Sequence, residues 1–401
     1  MSLLWRGMGS APRMALQYGL LFGALGISLP FAGLWFRSQG LTGAQIGLLL
    51  AAPMLARLAT GPLIAVWADG FRHRRSPIAW LALAAAAGTA ATGLVEGWPA
   101  WTATWLVAAT ASAAMIPLSD VLGLRVARRD GHTYSRPRGF GSAAFVLANV
   151  IMGAVLVRFS VDAVIIGVTT INLAIAFIAW RVLPAEPVGE GVSPHGWERF
   201  RGMGRLVLDP VLMTALLAVG ALQASHAFYY GFSAILWRSQ GIDPGLTGWL
   251  WGFSVVLETL FMWFAEPWRR RYRIGPWVLL TFGAVGGIVR WSAMAMGPEP
   301  WLLWPLQMLH TLTFAGTFLA GVEFVERLAP AKSHTAAQTL SSMLSAGVLI
   351  GLATLASGPL YDAFGVGGYW AMAGLSLLGL GAALVLRAAL ARRSVSSEGG
   401  G

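Results

Sequence analysis

Long apolar runs separated by short polar segments make up most of this chain. A helix needs roughly 20 apolar residues to cross the hydrocarbon of a bilayer, and runs of that length predict twelve membrane spans. The predicted spans lie near residues 14–36, 45–68, 77–96, 101–124, 140–157, 163–181, 211–237, 247–267, 276–296, 301–324, 339–360 and 369–390. The first run is too long for the apolar region of a signal peptide, so we expect it to be retained. The predicted fold class is therefore an all-α membrane protein.

The pattern repeats at half the length of the chain. The segment Phe36–Leu41 recurs as Trp237–Ile242, 201 residues later. The longest polar segment falls between the two copies and is rich in Pro and Gly. We therefore predict six-helix halves at 1–184 and 211–401, joined by a cytoplasmic linker at 185–210. Two parallel six-helix halves form the major facilitator fold, in which substrate binds near the membrane midplane between the halves.

Composition and charge support a membrane protein and orient it. Only 11% of the residues are charged, against about 25% in a soluble domain, so lipid must replace much of the polar solvent. Of the 28 Lys and Arg residues, 23 fall in segments on one side of the membrane. This asymmetry predicts a protein of the bacterial inner membrane with both termini in the cytoplasm. The net charge of +11 is thus explained by the basic residues of cytoplasmic loops, which orient the protein in the membrane, and we expect no nucleic-acid partner. Cys is absent, so disulfides and thiolate metal sites are excluded, and no metal or cofactor is expected.

Ionisable residues inside the predicted spans are the candidates for function. Each costs about 2.5–3.5 kcal/mol at a helix centre on insertion scales, so each needs an explanation. Apart from residues in the last turn of a span, they are Arg57, Asp120, His226, Glu258, Arg290 and His310, in spans two, four, seven, eight, nine and ten. The last four belong to the second half and would face one cavity in this fold.

Two interpretations of the second-half cluster are open. A structural ion pair needs only Glu258 and Arg290. A cavity that binds a polar or anionic substrate and carries a proton also explains His226 and His310, because neutral imidazoles add nothing to a simple ion pair. Glu258 would then be neutral in a dry cavity and ionised when Arg290 approaches, as symport requires. Nearby aromatic residues, including Tyr229, Tyr230 and Trp291, would form stacking walls for a ring-bearing substrate.

The segment 62–75, PLIAVWADGFRHRR, resembles the major facilitator signature between helices two and three. It keeps the acidic residue as Asp69 and the trailing basic pair as Arg74 and Arg75, although Ala and Arg replace two of the signature's glycines. The resemblance implies a cytoplasmic gate latch formed through Asp69. Glu266, which precedes a basic loop in the second half, is its expected counterpart.

A more specific resemblance covers most of the chain. The similar stretches are 16–69, 117–120, 134–145, 223–237, 248–258, 289–291 and 307–314, and they resemble the bacterial 3-phenylpropionate permease family. This resemblance implies a proton-coupled importer of a small aromatic acid. The substrate-binding residues that we predict on this basis are Asp120, Arg138, Gln223, His226, Tyr229, Tyr230, Arg290, Trp291 and His310.

Agreement with the related lactose permease is partial. Asp120 and Arg138 are 18 residues apart, like the carboxylate and arginine that hold the sugar in that protein. Arg290 and His310 are 20 residues apart, like its helix-nine arginine and helix-ten histidine. In lactose permease the proton is carried by a carboxylate three residues after the helix-ten histidine, and Thr313 occupies that position in this sequence. We therefore assign proton coupling to Glu258, with His310 and Asp120 as further candidates.

Alternatives to an importer of aromatic acids remain. The Asp120–Arg138 spacing keeps a sugar or nucleoside:proton symporter open. A drug:proton efflux antiporter is disfavoured, because the fifth span lacks the Gly-Pro motif of that class. A membrane enzyme or a non-transporting sensor is disfavoured by the absence of a catalytic motif and of a long signalling tail. The expected partners are a small substrate, protons and the lipid bilayer, and we expect a monomer.

Overall fold

The computed structural model describes residues 8–188 and 203–398. Within these ranges almost every residue is helical, and the only extended pairing is a single bridge between His73 and Pro187. Most of the predicted linker at 185–210 lies outside the described residues. The predicted all-α class is confirmed.

The first six predicted spans are six continuous helices. They are α1 (Ser10–Ser38), α2 (Gly43–Asp69), α3 (Arg75–Leu94), α4 (Trp98–Asp130), α5 (Ser135–Arg158) and α6 (Ala163–Arg181). Their ends follow from local chemistry. Thr42 and Gln45 form a capping box at the start of α2, in which each side chain accepts a hydrogen bond from the other's backbone N–H. Gly131 ends α4 in the left-handed conformation with φ of 71°.

The helices of the second half are interrupted inside the predicted spans. They follow a short helix in the predicted linker, α7 (Met203–Val207), and are α8 (Pro210–Ala224), α9 (Ala227–Ser239), α10 (Pro244–Leu260), α11 (Glu266–Arg271), α12 (Pro276–Ala295), α13 (Leu303–Met308), α14 (Thr317–Leu328), α15 (His334–Ser342), α16 (Ile350–Phe364) and α17 (Tyr369–Glu398). Three π-helical segments lie between them, at Phe261–Ala265, Thr311–Gly316 and Met343–Leu349. Such segments widen a helix by one residue per turn and occur frequently at functional sites.

Eleven helical stretches of the described residues are long and apolar enough to cross a membrane. The last of them, Ala331–Ala391, has 61 residues, about three times the length that one crossing needs. Gly365 ends α16 within this stretch at a φ of 53°, where the chain turns before α17. The stretch therefore contains two crossings, which makes twelve in all.

Contacts group the chain into two units. Unit 1 comprises Met1–Ser193 and Gly231–Val256. Its core is an apolar cluster contributed by α1, α3, α4 and α6. Helices α5 and α10 cross closely in the same unit, because a Cβ atom at Gly248 would overlap the backbone carbonyl of Asn149. Only glycine allows the two backbones to approach so closely.

Unit 2 comprises Pro194–Tyr230 and Leu257–Gly401. Its core lies between α8, α12, α14 and α17, with Ala215, Leu280, Phe324 and Leu386 fully or almost fully buried. This grouping follows contacts, whereas the predicted halves follow the sequence repeat. The boundaries at 184 and 211 therefore remain a prediction.

Candidate functional site

Arg290, on α12, is the centre of a buried polar cluster in unit 2. Its side chain is completely buried. Nη2 donates a hydrogen bond to Gln307 Oε1 at 2.6 Å, and Nη1 donates to Thr313 Oγ1 at 3.3 Å. Among the described residues no carboxylate lies within 4.0 Å of the guanidinium, and its Nε has no hydrogen-bond partner. Buried charges are normally paired, so Arg290 is a candidate anion-binding residue.

The contact between Arg290 and His310 fixes the tautomer of the histidine. Nη1 of Arg290 lies 3.1 Å from Nδ1 of His310. Because a guanidinium can only donate, Nδ1 must accept, and the proton of the neutral ring is on Nε2. This Nε2 is 3.9 Å from Oε2 of Glu258. The structure therefore places His310 between Glu258 and Arg290, which are not in direct contact.

His226 and Thr313 form a second hydrogen-bonded path from Arg290. Nδ1 of His226 lies 3.2 Å from the backbone carbonyls of both Leu222 and Gln223, so this nitrogen carries the proton. Nε2 of His226 must then accept, and its partner at 3.0 Å is the hydroxyl of Thr313. The Thr313 hydroxyl accepts from Arg290, and its own proton is within reach of His226 Nε2 at 3.0 Å and of the His310 backbone carbonyl at 3.2 Å. Thr313 thus holds Arg290 and His226 in a fixed orientation.

The cluster is built on interruptions in three helices of unit 2. His226 lies between α8 and α9, where the helix breaks at Ser225 and His226. His310 immediately precedes the π-helical segment Thr311–Gly316, and Glu258 is three residues before Phe261–Ala265. Interrupted helices in transporters free backbone groups and turn side chains into a site. The carbonyls that accept from His226 illustrate this.

Aromatic rings surround the Arg290 guanidinium. Its carbon lies 4.3 Å from the centre of the Trp291 ring and 4.9 Å from that of Tyr229, within cation–π range. The Trp291 ring stacks on Tyr369 at an interplanar angle of 4°, and His310 stacks on Phe314 at 5°. The predicted residues His226 and Tyr230 also stack, with ring centres 5.7 Å apart. The structure thus brings the predicted aromatic residues together around the cation.

Three polar residues of the cluster were not singled out from the sequence. Gln307 joins Arg290 to the Tyr229 hydroxyl, to which its Nε2 donates at 2.9 Å. It lies three residues before His310, and that spacing places both on one face of a helix, so a signal for it was present. Ser225, which accepts from Trp291 Nε1 at 3.0 Å, and Tyr369 gave no such signal.

Gln223, a predicted substrate-binding residue, lies beside the cluster on α8. Its Nε2 donates to the Thr317 hydroxyl at 2.7 Å and to the Phe314 carbonyl at 3.1 Å. Phe314 lies within the π-helical segment Thr311–Gly316, and Thr317 directly follows it. In this structure Gln223 therefore ties α8 to that segment.

The predicted pair Asp120 and Arg138 belongs to unit 1. Nε of Arg138 is 3.5 Å from Oδ1 of Asp120, and both side chains are about one-third exposed. The Tyr134 hydroxyl donates to the same carboxylate oxygen at 2.7 Å. The Arg138 guanidinium also covers the Phe22 ring, with its carbon 4.1 Å from the ring centre. Unlike Arg290, this arginine is already paired with a carboxylate.

The predicted gate residues lie at helix ends. Asp69 is the last residue of α2 and is exposed. The backbone N–H of Arg74 donates to the carbonyl of Glu186 at 2.9 Å, and partial burial lowers the pKa of its guanidinium. Nη1 of Arg75 donates to the carbonyl of Leu183 at 2.9 Å. The two basic residues thus fasten the chain after α6 to the loop after α2.

Glu266, the expected second-half counterpart of Asp69, is buried at the start of α11. Its carboxylate pairs with Arg269 and Arg270, each at 2.6 Å. Arg269 also reaches Glu323 on α14 at 3.1 Å. These pairs join two helices of unit 2. The role of Asp69 and Glu266 in gating remains a prediction.

Comparison with known families decides the class of protein. The model of the MFS_1 like family matches residues 12–372. The chain belongs to the MFS_1 like family. A curated relative, the probable 3-phenylpropionic acid transporter of Escherichia coli (strain K12), is 30% identical over 91% of this chain and 94% of its own length. The maltose permease of Geobacillus stearothermophilus is 25% identical over 90% of this chain and 91% of its own.

Solved structures agree on the fold. The nucleoside transporter NupG superposes with a TM-score of 0.80 at 18% identity, over 94% of this chain and 99% of that one. At this identity the likeness concerns the fold alone. Together with its apolar helices, the family makes this member a multi-pass membrane transporter and not an enzyme. The predicted major facilitator fold and the resemblance to the 3-phenylpropionate permease family are confirmed.

Proposed function

We propose that the protein imports a small organic anion together with a proton, and that this anion is an aromatic monocarboxylate such as 3-phenylpropionate. The observation that carries the proposal is Arg290, a fully buried cation with no carboxylate within 4.0 Å among the described residues. A guanidinium presents a planar fork of donors that matches a carboxylate. The 30% identity to a probable 3-phenylpropionic acid transporter supports the same substrate class.

The proposed binding mode uses the groups around Arg290. The substrate carboxylate would take the Nη1 position that His310 Nδ1 now holds, because that contact is the easiest to replace by a stronger acceptor. The ring of the substrate would stack against the aromatic side chains of Tyr229 and Trp291, which already flank the guanidinium. Tight binding would then require a substrate with both a negative charge and a flat apolar group.

Proton coupling is proposed to run from Glu258 through His310. Ionised Glu258 would attract the Nε2–H of His310 and so keep Nδ1 directed at Arg290. Protonation of Glu258 would remove this attraction and free Arg290 for the substrate. The net charge of the site supports a ratio of one proton to one anion. The charge of Arg290 is balanced by ionised Glu258 when the site is empty, and by the substrate carboxylate when the site is loaded and Glu258 is protonated. A buried site is most stable when its charges cancel in both states.

Uptake by the purified protein in proteoliposomes with an alkaline interior tests the proposal. Labelled 3-phenylpropionate should accumulate, whereas the neutral amide of the same acid should not. Arg290→Ala should raise the KM for the acid at least about tenfold, since it removes a charge-assisted contact of about 1.5–3 kcal/mol. The matched control Arg271→Ala changes an exposed arginine on α11 and should transport normally. Wild-type uptake by Arg290→Ala would contradict the proposal.

A sugar or nucleoside:proton symporter is the second candidate. It is favoured by the partly exposed Asp120–Arg138 pair with its Tyr134 hydroxyl, a group of hydrogen-bonding side chains suited to a neutral polyol. The 25% identity to a maltose permease is consistent with it. In the same assay this candidate predicts uptake of labelled maltose or uridine that is lost in Asp120→Asn. No uptake of either solute would leave the aromatic acid as the substrate class.

A further inference from the structure

Arg57 lies near the middle of α2, in unit 1, and neither the gate nor the Arg290 cluster includes it. An arginine at the centre of a membrane span is costly unless it is paired or reaches water. No carboxylate among the described residues lies within 4.0 Å of its guanidinium. The side chain is exposed. Water or a ligand must therefore solvate this charge.

The side of α2 that carries Arg57 faces protein and not lipid. Ile46 and Pro53 precede it by eleven and four residues, and Ile64 and Ala68 follow it by seven and eleven, so all lie on one stripe of the helix. Ile46, Pro53 and Ala68 are buried, and Ile64 packs against the core of unit 1. An exposed position within such a stripe opens onto a space inside the protein. An arginine in that space requires it to be hydrated.

The backbone beside Arg57 also has a carbonyl that lacks its usual helical donor. Pro53 and Pro62 both lie inside α2, one turn before and just over one turn after Arg57. Pro62 has no N–H to give to the carbonyl of Leu58, the neighbour of Arg57. A carbonyl without its helical partner is stable in water and costly in lipid. Water beside Arg57 would also be a donor for this carbonyl.

We infer that Arg57 is a second anion-binding residue, and that it binds the carboxylate of the transported acid from the water beside α2. The inference rests on the proposed function, because the acid is the ligand. A hydrated guanidinium holds a carboxylate weakly, with about 0–1 kcal/mol, and exchanges it fast. Its effect is therefore to raise the local concentration of the anion and the rate at which it enters the protein. Such an effect weakens with salt, unlike binding at the buried Arg290.

Arg57→Cys tests the inference directly, because the natural chain contains no other cysteine. The thiol is labelled in proteoliposomes of neutral lipid with methanethiosulfonate reagents, one carrying an ethylammonium and one an ethylsulfonate. We expect both water-borne reagents to react. The cationic adduct should raise kcat/KM for 3-phenylpropionate about three- to tenfold over the anionic adduct at low ionic strength, and less than about twofold at high salt. Both adducts are made on one folded protein, so folding cannot account for the difference.

Controls separate the possible outcomes. Arg158→Cys, at the exposed end of α5 in the same unit, should show adduct effects below about twofold. Failure of position 57 to react, or equal kcat/KM for the two adducts, would overturn the inference. An adduct effect that appears only in vesicles containing anionic lipid would assign Arg57 to a lipid phosphate and also overturn it. The proposed function has a separate test, because it would be contradicted if Arg290→Ala took up 3-phenylpropionate as well as wild type.

Discussion

At the scale of single residues, the hydroxyl of Thr313 organises the candidate site. It accepts from Arg290 Nη1 at 3.3 Å and its own proton is within reach of His226 Nε2 at 3.0 Å, so one oxygen links two buried side chains. Valine has nearly the same shape but can neither accept nor donate. Its introduction would leave a buried donor and a buried acceptor without partners, each at a cost of about 1–3 kcal/mol.

Thr313→Val should therefore raise the KM for 3-phenylpropionate about five- to tenfold while uptake remains measurable, because the charge of Arg290 is retained. Initial rates over a range of concentrations in proteoliposomes measure this. Thr170→Val is the matched control, since that hydroxyl is exposed and bonds only the carbonyl one turn earlier in α6. Equal KM values for wild type and Thr313→Val would show that the hydroxyl does not position Arg290.

The charged members of the site and three of its aromatic residues could be predicted from the sequence, whereas Gln307, Ser225 and Tyr369 were missed. His226, Arg290 and His310 stand out because an ionisable group inside a span is costly and so needs a role. Neutral polar residues such as Gln307 and Tyr369 are tolerated in many membrane helices, and only the three-residue spacing between Gln307 and His310 pointed to the site. The position of His310 between Glu258 and Arg290 could not be predicted, because it depends on side-chain directions that the amino-acid sequence does not specify.

At the scale of helices, the interruptions were the part that the sequence did not predict. Apolar runs continue across the break at Ser225 and His226, with no Pro or Gly to mark it. The break is stabilised by the His226 imidazole, which bonds the carbonyls of Leu222 and Gln223. Tertiary hydrogen bonds therefore decide this feature, whereas hydropathy reports only that the segment is buried in membrane or protein.

The crossing of α5 and α10 in unit 1 gives a prediction at this scale. Gly248→Ala would place a methyl group against the backbone carbonyl of Asn149, which cannot rotate away as a side chain can. Overpacking of this kind costs about 1–3 kcal/mol. We expect the detergent-solubilised variant to unfold several degrees below wild type, as followed by its tryptophan fluorescence.

Gly139→Ala, on the other helix of this crossing, α5, is the control. A Cβ atom there meets nothing within 4 Å. Its melting temperature should equal or slightly exceed that of wild type, because alanine favours a helix. A Gly248→Ala variant as stable as Gly139→Ala would mean that the crossing is looser than the structure indicates.

At the scale of the whole molecule, twelve spans and the distribution of charge predict the orientation. Of the 28 basic residues only Arg37, Arg158 and Arg238 fall in predicted outer loops, an asymmetry that predicts both termini in the cytoplasm. Reporter fusions test this: alkaline phosphatase should be inactive, and green fluorescent protein fluorescent, at either end. Reporters that place the two termini on opposite sides of the membrane would contradict twelve crossings.

The central claim is that Glu258 carries the proton that drives uptake. Glu258→Gln mimics the protonated carboxyl, so it should leave Arg290 available and keep the exchange of 3-phenylpropionate across the membrane. It should abolish accumulation against a gradient, because the side chain no longer releases a proton. The decisive measurement compares counterflow with uptake driven by a pH gradient in the same vesicles. The account predicts counterflow within a few-fold of wild type and no accumulation. Accumulation by Glu258→Gln to the wild-type level would contradict it and move the proton site to His310 or Asp120.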